Sequence, residues 1–131
     1  MYLIMKNILV IILVFTVLSC NENENKSNKL KVVTTTTMIT DLVSIIGGDA
    51  IEVNGLMGAG VDPHLYKASE GDVTKLYEAD IIFYNGLHLE GKLVDVFKKM
   101  KQKKQIALAN NLPENRLIGS EYFASNYDPH V

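Results

Sequence analysis

Two copies of the tripeptide Asp-Pro-His are the residues of this sequence best suited to chemistry. Asp62-Pro63-His64 and Asp128-Pro129-His130 together hold two of its three histidines and two of its three prolines. Proline fixes its own φ and keeps the preceding residue extended, so each unit presents an imidazole from a stiff loop with a carboxylate nearby. One such unit alone is typical of a solvent-exposed turn. Two identical units favour a shared metal site formed by both imidazoles.

The third histidine, His88, lies in the stretch Asn85–Glu90 (NGLHLE), between a strand-like run and a predicted helix. It is either a direct ligand at the same metal site or, as we favour, an imidazole that caps the helix or supports another ligand. Asp62 and Asp128 are likewise candidates for supporting or weaker ligands. Glu90 has a simple role near a helix N-terminus, where a negative charge is favourable.

Short apolar runs alternate with stretches of helical period from Leu30 onward. The runs are rich in β-branched and aromatic residues, which predicts strands. The helical stretches carry amphipathic spacing, and Ser69 with Asp72 resembles a capping box. The predicted strands are Lys31–Thr36, Ile51–Leu56, Ile81–Tyr84 and Ile106–Leu108, and the predicted helices are Met38–Ile46, a second from Ser69 or Glu70, and a third at about Glu90–Lys101.

This alternation predicts an α/β fold: a parallel four-stranded sheet with right-handed crossovers and helices on both faces. In such sheets ligands bind outside the carboxyl ends of the strands, so the loops that hold the histidines lie where a site is expected. The run Thr34–Thr37 could line a polar site there, although strand propensity and helix capping explain it more simply.

The N-terminal segment is distinct from this domain. Residues 8–18 form an apolar run that is interrupted only by Thr16 and preceded by Lys6. The run is shorter than the roughly 20 residues that span a bilayer, and it predicts a signal peptide over residues 1–19. The sequence Val17-Leu18-Ser19-Cys20 resembles the bacterial lipobox, which implies lipidation of Cys20; the alternative is a small apolar thiol at the end of the signal. Residues 20–29 are predicted to be a polar tether.

Composition excludes several classes of function. A net charge of −2 with 21% charged residues gives no basic surface for nucleic acid. A single cysteine cannot form an internal disulfide framework. The sequence contains no glycine-rich phosphate loop, no His-Glu-x-x-His and no nucleophile elbow.

A series of phrases spread over residues 32–131 resembles the zinc- and manganese-binding substrate-binding lipoproteins of bacterial metal ABC transporters, the TroA-like family. These phrases are VVTTT (32–36), DLV (41–43), IGGD (46–49), GVDPHLY (60–66), ADII (79–82), NGLHLE (85–90) and DPHV (128–131). The resemblance implies that His64 and His130 are two of the metal ligands. It also implies an ABC permease as partner, a lipid anchor in the membrane, and a location in the cell envelope, periplasmic or on the outer face of the cytoplasmic membrane.

In that family the remaining ligands, a His or Glu and an Asp, come from a second lobe joined by a long helix. The resemblance therefore implies that residues 30–131 are the N-terminal lobe alone, truncated before the linker helix. Zinc binds about four ligands, so two imidazoles are expected to bind it weakly, and below about pH 6 more weakly still, because only neutral imidazole ligates.

Three functions follow as hypotheses. The first is a lipid-anchored receptor that captures Zn²⁺ or Mn²⁺ for an importer, and it explains the signal, the tether and both Asp-Pro-His units. The second is a zinc-dependent hydrolase in which water fills an open position and Glu90 or Asp62 acts as base. The third is a structural or nonfunctional truncated lipoprotein in which the histidines have no role.

Overall fold

Four parallel strands form one sheet in the order β2-β1-β3-β4. The computed structural model describes residues 29–123 and 126–130. Its strands are β1 (Leu30–Thr34), β2 (Ile51–Gly55), β3 (Ile81–Tyr84) and β4 (Lys104–Ala107). The predicted α/β class and parallel sheet are confirmed. The predicted signal peptide, Cys20 and all of the tether except Lys29 lie outside the described residues.

Three α-helices connect the strands: α1 (Thr37–Gly47), α2 (Glu70–Glu78) and α3 (Val94–Lys99). The chain steps from β1 to β2 in one direction across the sheet and from β2 to β3 and β4 in the other. Right-handed crossovers therefore place α1 on one face and both α2 and α3 on the opposite face. This arrangement confirms the expectation of helices on both faces.

The face that carries α2 and α3 forms the closed hydrophobic core. Val33 and Ile82 of the sheet pack there with Leu76, Leu93 and Phe97, all of them buried. Full burial of one such side chain contributes about 1.5–3 kcal/mol of hydrophobic free energy. This packing holds the strand ends in a fixed relation to the loops that follow them.

The opposite face is covered by α1 alone. Ile39 of α1 is buried, whereas Leu42 and Ile46 remain 58% and 84% exposed. Together with Val32 and Phe83 these side chains line an apolar groove beside the helix. The predicted apolar side of this helix is therefore one wall of an open groove.

The third helix is shorter than its sequence pattern predicts. We expected a helix at about Glu90–Lys101, but the regular α-helix spans only Val94–Lys99 and turns precede it. Residues 90–93 instead form a turn, in which the N–H of Leu93 bonds to the carbonyl of Glu90 at 2.8 Å, three residues earlier rather than four.

Two loops reach the carboxyl edge of the sheet directly after a strand, and a third segment arrives there by a longer path. The first Asp-Pro-His unit follows β2, and the stretch Asn85–Glu90 follows β3. The second unit comes after an irregular segment beyond β4 with short 3-10 helices at Ala109–Asn111 and Glu114–Arg116. Within residues 29–123 and 126–130, no helix has the length and apolar character needed to cross a membrane.

Candidate metal centre

The first Asp-Pro-His unit forms a tight turn closed by its own carboxylate. Asp62 Oδ1 accepts a hydrogen bond from the backbone N–H of His64 at 2.9 Å. Asp side chains stabilise turns by accepting from the backbone two residues on, and proline at the middle position pre-sets φ. The local sequence therefore directs the His64 side chain out of the turn.

Tyr66 ties this first unit to the start of α2. Its hydroxyl lies 2.7 Å from Asp72 Oδ2 and 3.1 Å from the carbonyl oxygen of Leu56. Burial, with the hydrogen bond to and charge of Asp72, raises the pKa of Tyr66 to about 12. The phenol is therefore neutral at ordinary pH and donates to the carboxylate.

Asp72 closes the predicted capping box with Ser69, which is confirmed at the N-terminus of α2. Burial by itself would raise the pKa of Asp72, but hydrogen bonds from Ser69, Tyr66 and Lys75 outweigh it and lower that pKa to about 2. A carboxylate that accepts several hydrogen bonds keeps its charge. The first unit is thus anchored to a fixed negative charge at a helix start.

The second Asp-Pro-His unit repeats this turn and adds a contact to the imidazole. Asp128 Oδ1 accepts from the backbone N–H of His130 at 3.0 Å and lies 2.6 Å from its Nδ1. These hydrogen bonds lower the pKa of Asp128, the one from the backbone most strongly. Because a carboxylate only accepts, Nδ1 of His130 donates to Asp128, and Nε2 is the ring nitrogen that remains for another partner. Carboxylate–histidine pairs of this kind orient imidazoles that ligate metals.

The second unit is held against the sheet edge by Asn85. Pro129 is buried, and its carbonyl oxygen accepts a hydrogen bond of 2.8 Å from Asn85 Nδ2. Asn85 in turn donates its backbone N–H to Glu90 Oε1 at 2.7 Å. The residue directly after β3 therefore fixes the backbone next to His130.

Glu90 is a buried carboxylate with three donors. It is 1% exposed, and it accepts from Thr35 Oγ1 at 2.6 Å, from Asn85 N at 2.7 Å and from Gly86 N at 3.3 Å. A buried charge is tolerated only when its oxygens are satisfied in this way. Glu90 was expected to lie near the start of the third helix, but that helix begins only at Val94. Its carboxylate instead holds the loop after β3 by accepting from the backbone of that loop.

The two predicted ligands, His64 and His130, come together at the carboxyl edge of the sheet. Their Nε2 atoms are 3.2 Å apart, and their ring planes meet at 68°. Two imidazole nitrogens bound tetrahedrally to one zinc ion at about 2.0–2.1 Å lie about 3.3 Å from each other. The observed separation is that of a hydrogen bond between the two rings, and it also matches the geometry of a shared ion.

An aromatic ring, that of Phe123, forms one wall of the histidine pair. It stacks on His64 with centroids 6.1 Å apart and meets His130 edge-on at 5.9 Å. Such a ring limits the rotation of both imidazoles and excludes water from one side of the pair. The His130 side chain nevertheless remains 56% exposed.

His88 lies apart from this pair. It is exposed in the loop after β3, and within the described part of the chain no hydrogen bond or ring contact joins it to His64 or His130. Among residues 29–123 and 126–130, no group of three or more His, Cys, Asp or Glu side chains is arranged to hold a metal ion. The structure thus offers two imidazoles and leaves the supporting role of His88 a prediction.

Sequence reasoning did not assign the residues that support the pair: Thr35, Tyr66, Asn85 and Phe123. Thr35 belongs to a run of threonines, and its buried hydroxyl turns inward to Glu90. Tyr66 and Asn85 each lie close to a residue of interest, but nothing in their spacing indicates which atom they contact. Only the proximity of Tyr66 to His64 and of Asn85 to His88 in the sequence could have drawn attention to them.

The chain is similar to metal receptors of known identity. It is 48% identical over 109 residues to the manganese-binding lipoprotein MntA of Bacillus subtilis, an overlap of 82% of this chain and 35% of MntA. It is 46% identical over 101 residues to the zinc-binding protein TroA of Treponema pallidum, an overlap of 76% of this chain and 32% of TroA. The chain therefore spans about a third of the length of these relatives.

Solved structures agree with these relatives. The periplasmic zinc-binding protein TroA from Treponema pallidum superposes with a TM-score of 0.73 at 45% identity, covering 79% of this chain and 37% of that one. A manganese-bound periplasmic metal-binding protein from Candidatus Liberibacter asiaticus gives 0.67 at 32% identity, covering 78% and 38%. The family described as zinc-uptake complex component A, periplasmic, matches residues 32–131, and the chain belongs to this family of metal-binding transport receptors.

Proposed function

We propose that residues 30–131 form the metal-binding lobe of an extracytoplasmic substrate-binding protein, with His64 and His130 as two ligands to its cargo. The observation that carries this proposal is the 3.2 Å separation of the two Nε2 atoms. It is supported by the contact of Asp128 with Nδ1 of His130, which leaves Nε2 of that ring, the atom nearest His64, as the nitrogen for a metal ion.

The proposed cargo is Zn²⁺ or Mn²⁺. Imidazole suits zinc and other borderline metals, whereas manganese prefers carboxylate, carbonyl and water oxygens. One relative is named as manganese-binding and another as zinc-binding. The ligands beyond the two imidazoles decide between these ions, and we propose that they come from a second lobe, since the relatives are about three times as long as the matched region.

We further propose that the protein acts as an ABC importer component that passes its ion to a membrane permease. Residues 1–19 would direct export, Cys20 would carry the lipid anchor and residues 20–29 would tether the lobe outside the cytoplasmic membrane. The similarity to a lipoprotein of Bacillus subtilis supports this arrangement.

We propose binding rather than hydrolysis as the role of the pair. Neither candidate base is well placed for catalysis: the Glu90 carboxylate is buried among three donors, and Asp62 accepts from the backbone of its own turn. Since a general base must reach the proton that it abstracts, the hydrolase hypothesis has no support from these contacts.

Calorimetric titration of the chain with Zn²⁺ tests the proposal. We expect weak binding, with Kd in the micromolar range or above, because two imidazoles fill about half of a zinc coordination shell. His64→Ala and His130→Ala should each lower the affinity at least about tenfold, while His88→Ala, which removes an imidazole outside the pair, should have a clearly smaller effect.

Two results would contradict this proposal. Unchanged zinc binding in the double variant His64→Ala/His130→Ala would show that the pair does not bind the ion. It would favour the hypothesis of a lobe whose histidines have no role. Sub-micromolar one-to-one binding by the chain would show that the coordination shell is complete without a second lobe.

A further inference from the structure

The second Asp-Pro-His unit lies much farther along the chain from its preceding strand than the first, since residues 108–127 separate it from β4 and only residues 56–61 separate the first from β2. An irregular segment separates it from β4, and the backbone N–H of Asp128 bonds back to Ile118 within that segment at 2.8 Å. In the described part of the chain, the hydrogen bond that joins this unit to a residue directly after a strand is the one from Asn85 to the carbonyl of Pro129. Asn85 therefore connects the backbone next to His130 to the sheet edge.

Asn85 is itself held at three points. Its N–H donates to Glu90 at 2.7 Å, and its carbonyl accepts from the N–H of Ala109 at 2.9 Å. Its side-chain amide, besides bonding to Pro129, lies 3.3 Å from the carbonyl of Gly86. A side chain with this many constraints presents its amide in one direction.

The loop that carries Asn85 contains backbone strain. Three consecutive residues, Gly86, Leu87 and His88, have φ of 89°, 49° and 63°. Glycine adopts such values freely, but the two non-glycine residues are disfavoured there and persist only where the surrounding structure holds them. The buried Glu90 carboxylate accepts from Thr35, the residue after β1, and from the backbone N–H groups of Asn85 and Gly86. It thereby stabilises the turn and fixes Asn85, which precedes it.

We propose that Asn85, braced by Glu90 and Thr35, is a positioning residue for metal binding. Through Pro129 it holds Nε2 of His130 at the distance from Nε2 of His64 that one ion requires. This inference rests on the proposed function, since it assigns a supporting residue to that same site. Loss of residues that orient a ligand lowers metal affinity about 10- to 100-fold, and we expect about tenfold here because a backbone contact is involved.

The test compares Asn85→Asp with Asn115→Asp in the full chain. Both changes remove an amide and add a negative charge, but Asn115 is exposed in a short 3-10 helix away from the pair. Asn85→Asp should weaken Zn²⁺ binding about tenfold at a pH where the variant is folded, and Asn115→Asp should not. Asn85→Ser, which is uncharged and too short to reach Pro129, should behave like Asn85→Asp.

A metal-free measurement separates this proposal from the proposed function. Ring protons of His64 and His130 should give a nuclear Overhauser effect in the wild type, since the ring centroids are 5.2 Å apart. That signal should vanish in Asn85→Asp and persist in Asn115→Asp. If it does so while no variant binds zinc, the positioning role stands and the proposed function fails.

Two outcomes would overturn the positioning role. One is an unchanged ring-to-ring signal together with unchanged affinity in both Asn85 variants; the other is the absence of that signal in the wild type. Should both Asn85 variants fail to fold, hydrogen exchange of the wild-type Asn85 side-chain amide decides: protection of both amide hydrogens supports the bond to Pro129 beside the one to Gly86, and rapid exchange of either excludes the arrangement.

Discussion

The two Asp-Pro-His units have the same sequence and the same turn but different support. In both, the aspartate accepts from the backbone N–H of its own histidine, at 2.9 Å and 3.0 Å. Beyond the tripeptide they diverge, since the first is tied through Tyr66 to the start of α2 and the second through Asn85 to the loop after β3. Identical local sequence therefore sets the turn, and the surrounding fold sets where the turn is fastened.

The imidazoles differ in the same way. The ring of His130 has a carboxylate partner at 2.6 Å that selects its tautomer, whereas His64 is restrained by stacking on Phe123. The His130 imidazole is oriented by a hydrogen bond to a carboxylate, and the His64 imidazole by ring stacking. We expect the two units to respond unequally to equivalent changes, and the following predictions use that asymmetry.

The largest expected effect is a loss of stability when Glu90, which supports the loop next to the second unit, is replaced. Glu90→Gln should lower the free energy of unfolding by about 3 kcal/mol, because one amide group cannot accept from all three donors and places its own N–H against one of them. Urea unfolding measures this loss. Glu114→Gln is the matched control at an exposed position, and a loss no larger than that of the control would show that Glu90 does not brace the loop.

The support of the first unit should depend on pH. The pKa of Asp72 is lowered to about 2, below its unfolded value of about 3.9, so its stabilisation is complete above pH 4 and is lost as pH falls from about 4 to 2. The wild type should lose roughly 2 kcal/mol over this range through Asp72, a loss that Asp72→Asn should lack. Unfolding free energies measured across that range check the difference, with Asp41→Asn as an exposed control. Parallel curves for Asp72→Asn and the wild type would contradict it.

The aspartates of the two units should contribute unequally to zinc affinity. Asp128→Ala removes contacts to both the backbone and the ring of His130, and we expect about a tenfold weaker affinity, near 1.4 kcal/mol. Asp62→Ala removes a backbone contact alone and should have a smaller effect. Calorimetric titration of the two variants under one condition makes the comparison, and equal losses would argue that the contact to Nδ1 has no influence on ligation.

The smallest expected effect is the loss of stability when the hydroxyl of Tyr66 is removed. Tyr66→Phe should cost about 1 kcal/mol of stability, since Asp72 keeps its other donors when the phenol is removed. Thermal or urea unfolding detects a change of this size. Tyr122→Phe provides the control, because the Tyr122 side chain is 96% exposed; identical stability in the two variants would remove Tyr66 from the anchorage of the first unit.

Secondary structure was predictable where the local signal agrees with the tertiary environment. The bounds of β3 match the prediction, and the capping box of Ser69 and Asp72 forms as expected. The start of β4 was missed because Lys104 and Gln105 are polar, yet they pair in register with Ile81 and Ile82 of β3. Pairing with a neighbouring strand overrode weak β propensity there.

The histidine pair was predictable because a repeated rare tripeptide is visible in the sequence, although the roles of its residues remain proposals. Its support was not, since Asn85 acts through a carbonyl 44 residues away along the chain. A side chain that bonds to a backbone oxygen leaves no pattern of residue types, because every residue supplies such an oxygen. Phe123 is hidden for a similar reason, as one aromatic residue in an irregular segment indicates no particular partner.

The sequence by itself determined the local features: the alternation of strands and helices, the turn within each Asp-Pro-His unit, and the caps. These depend on φ preferences and on hydrogen bonds between residues a few positions apart. Only the tertiary structure decided that two distant imidazoles meet 3.2 Å apart and that Asn85, Glu90 and Tyr66 hold them there. Such contacts depend on which strands are neighbours in the sheet and on how the chain returns to its edge.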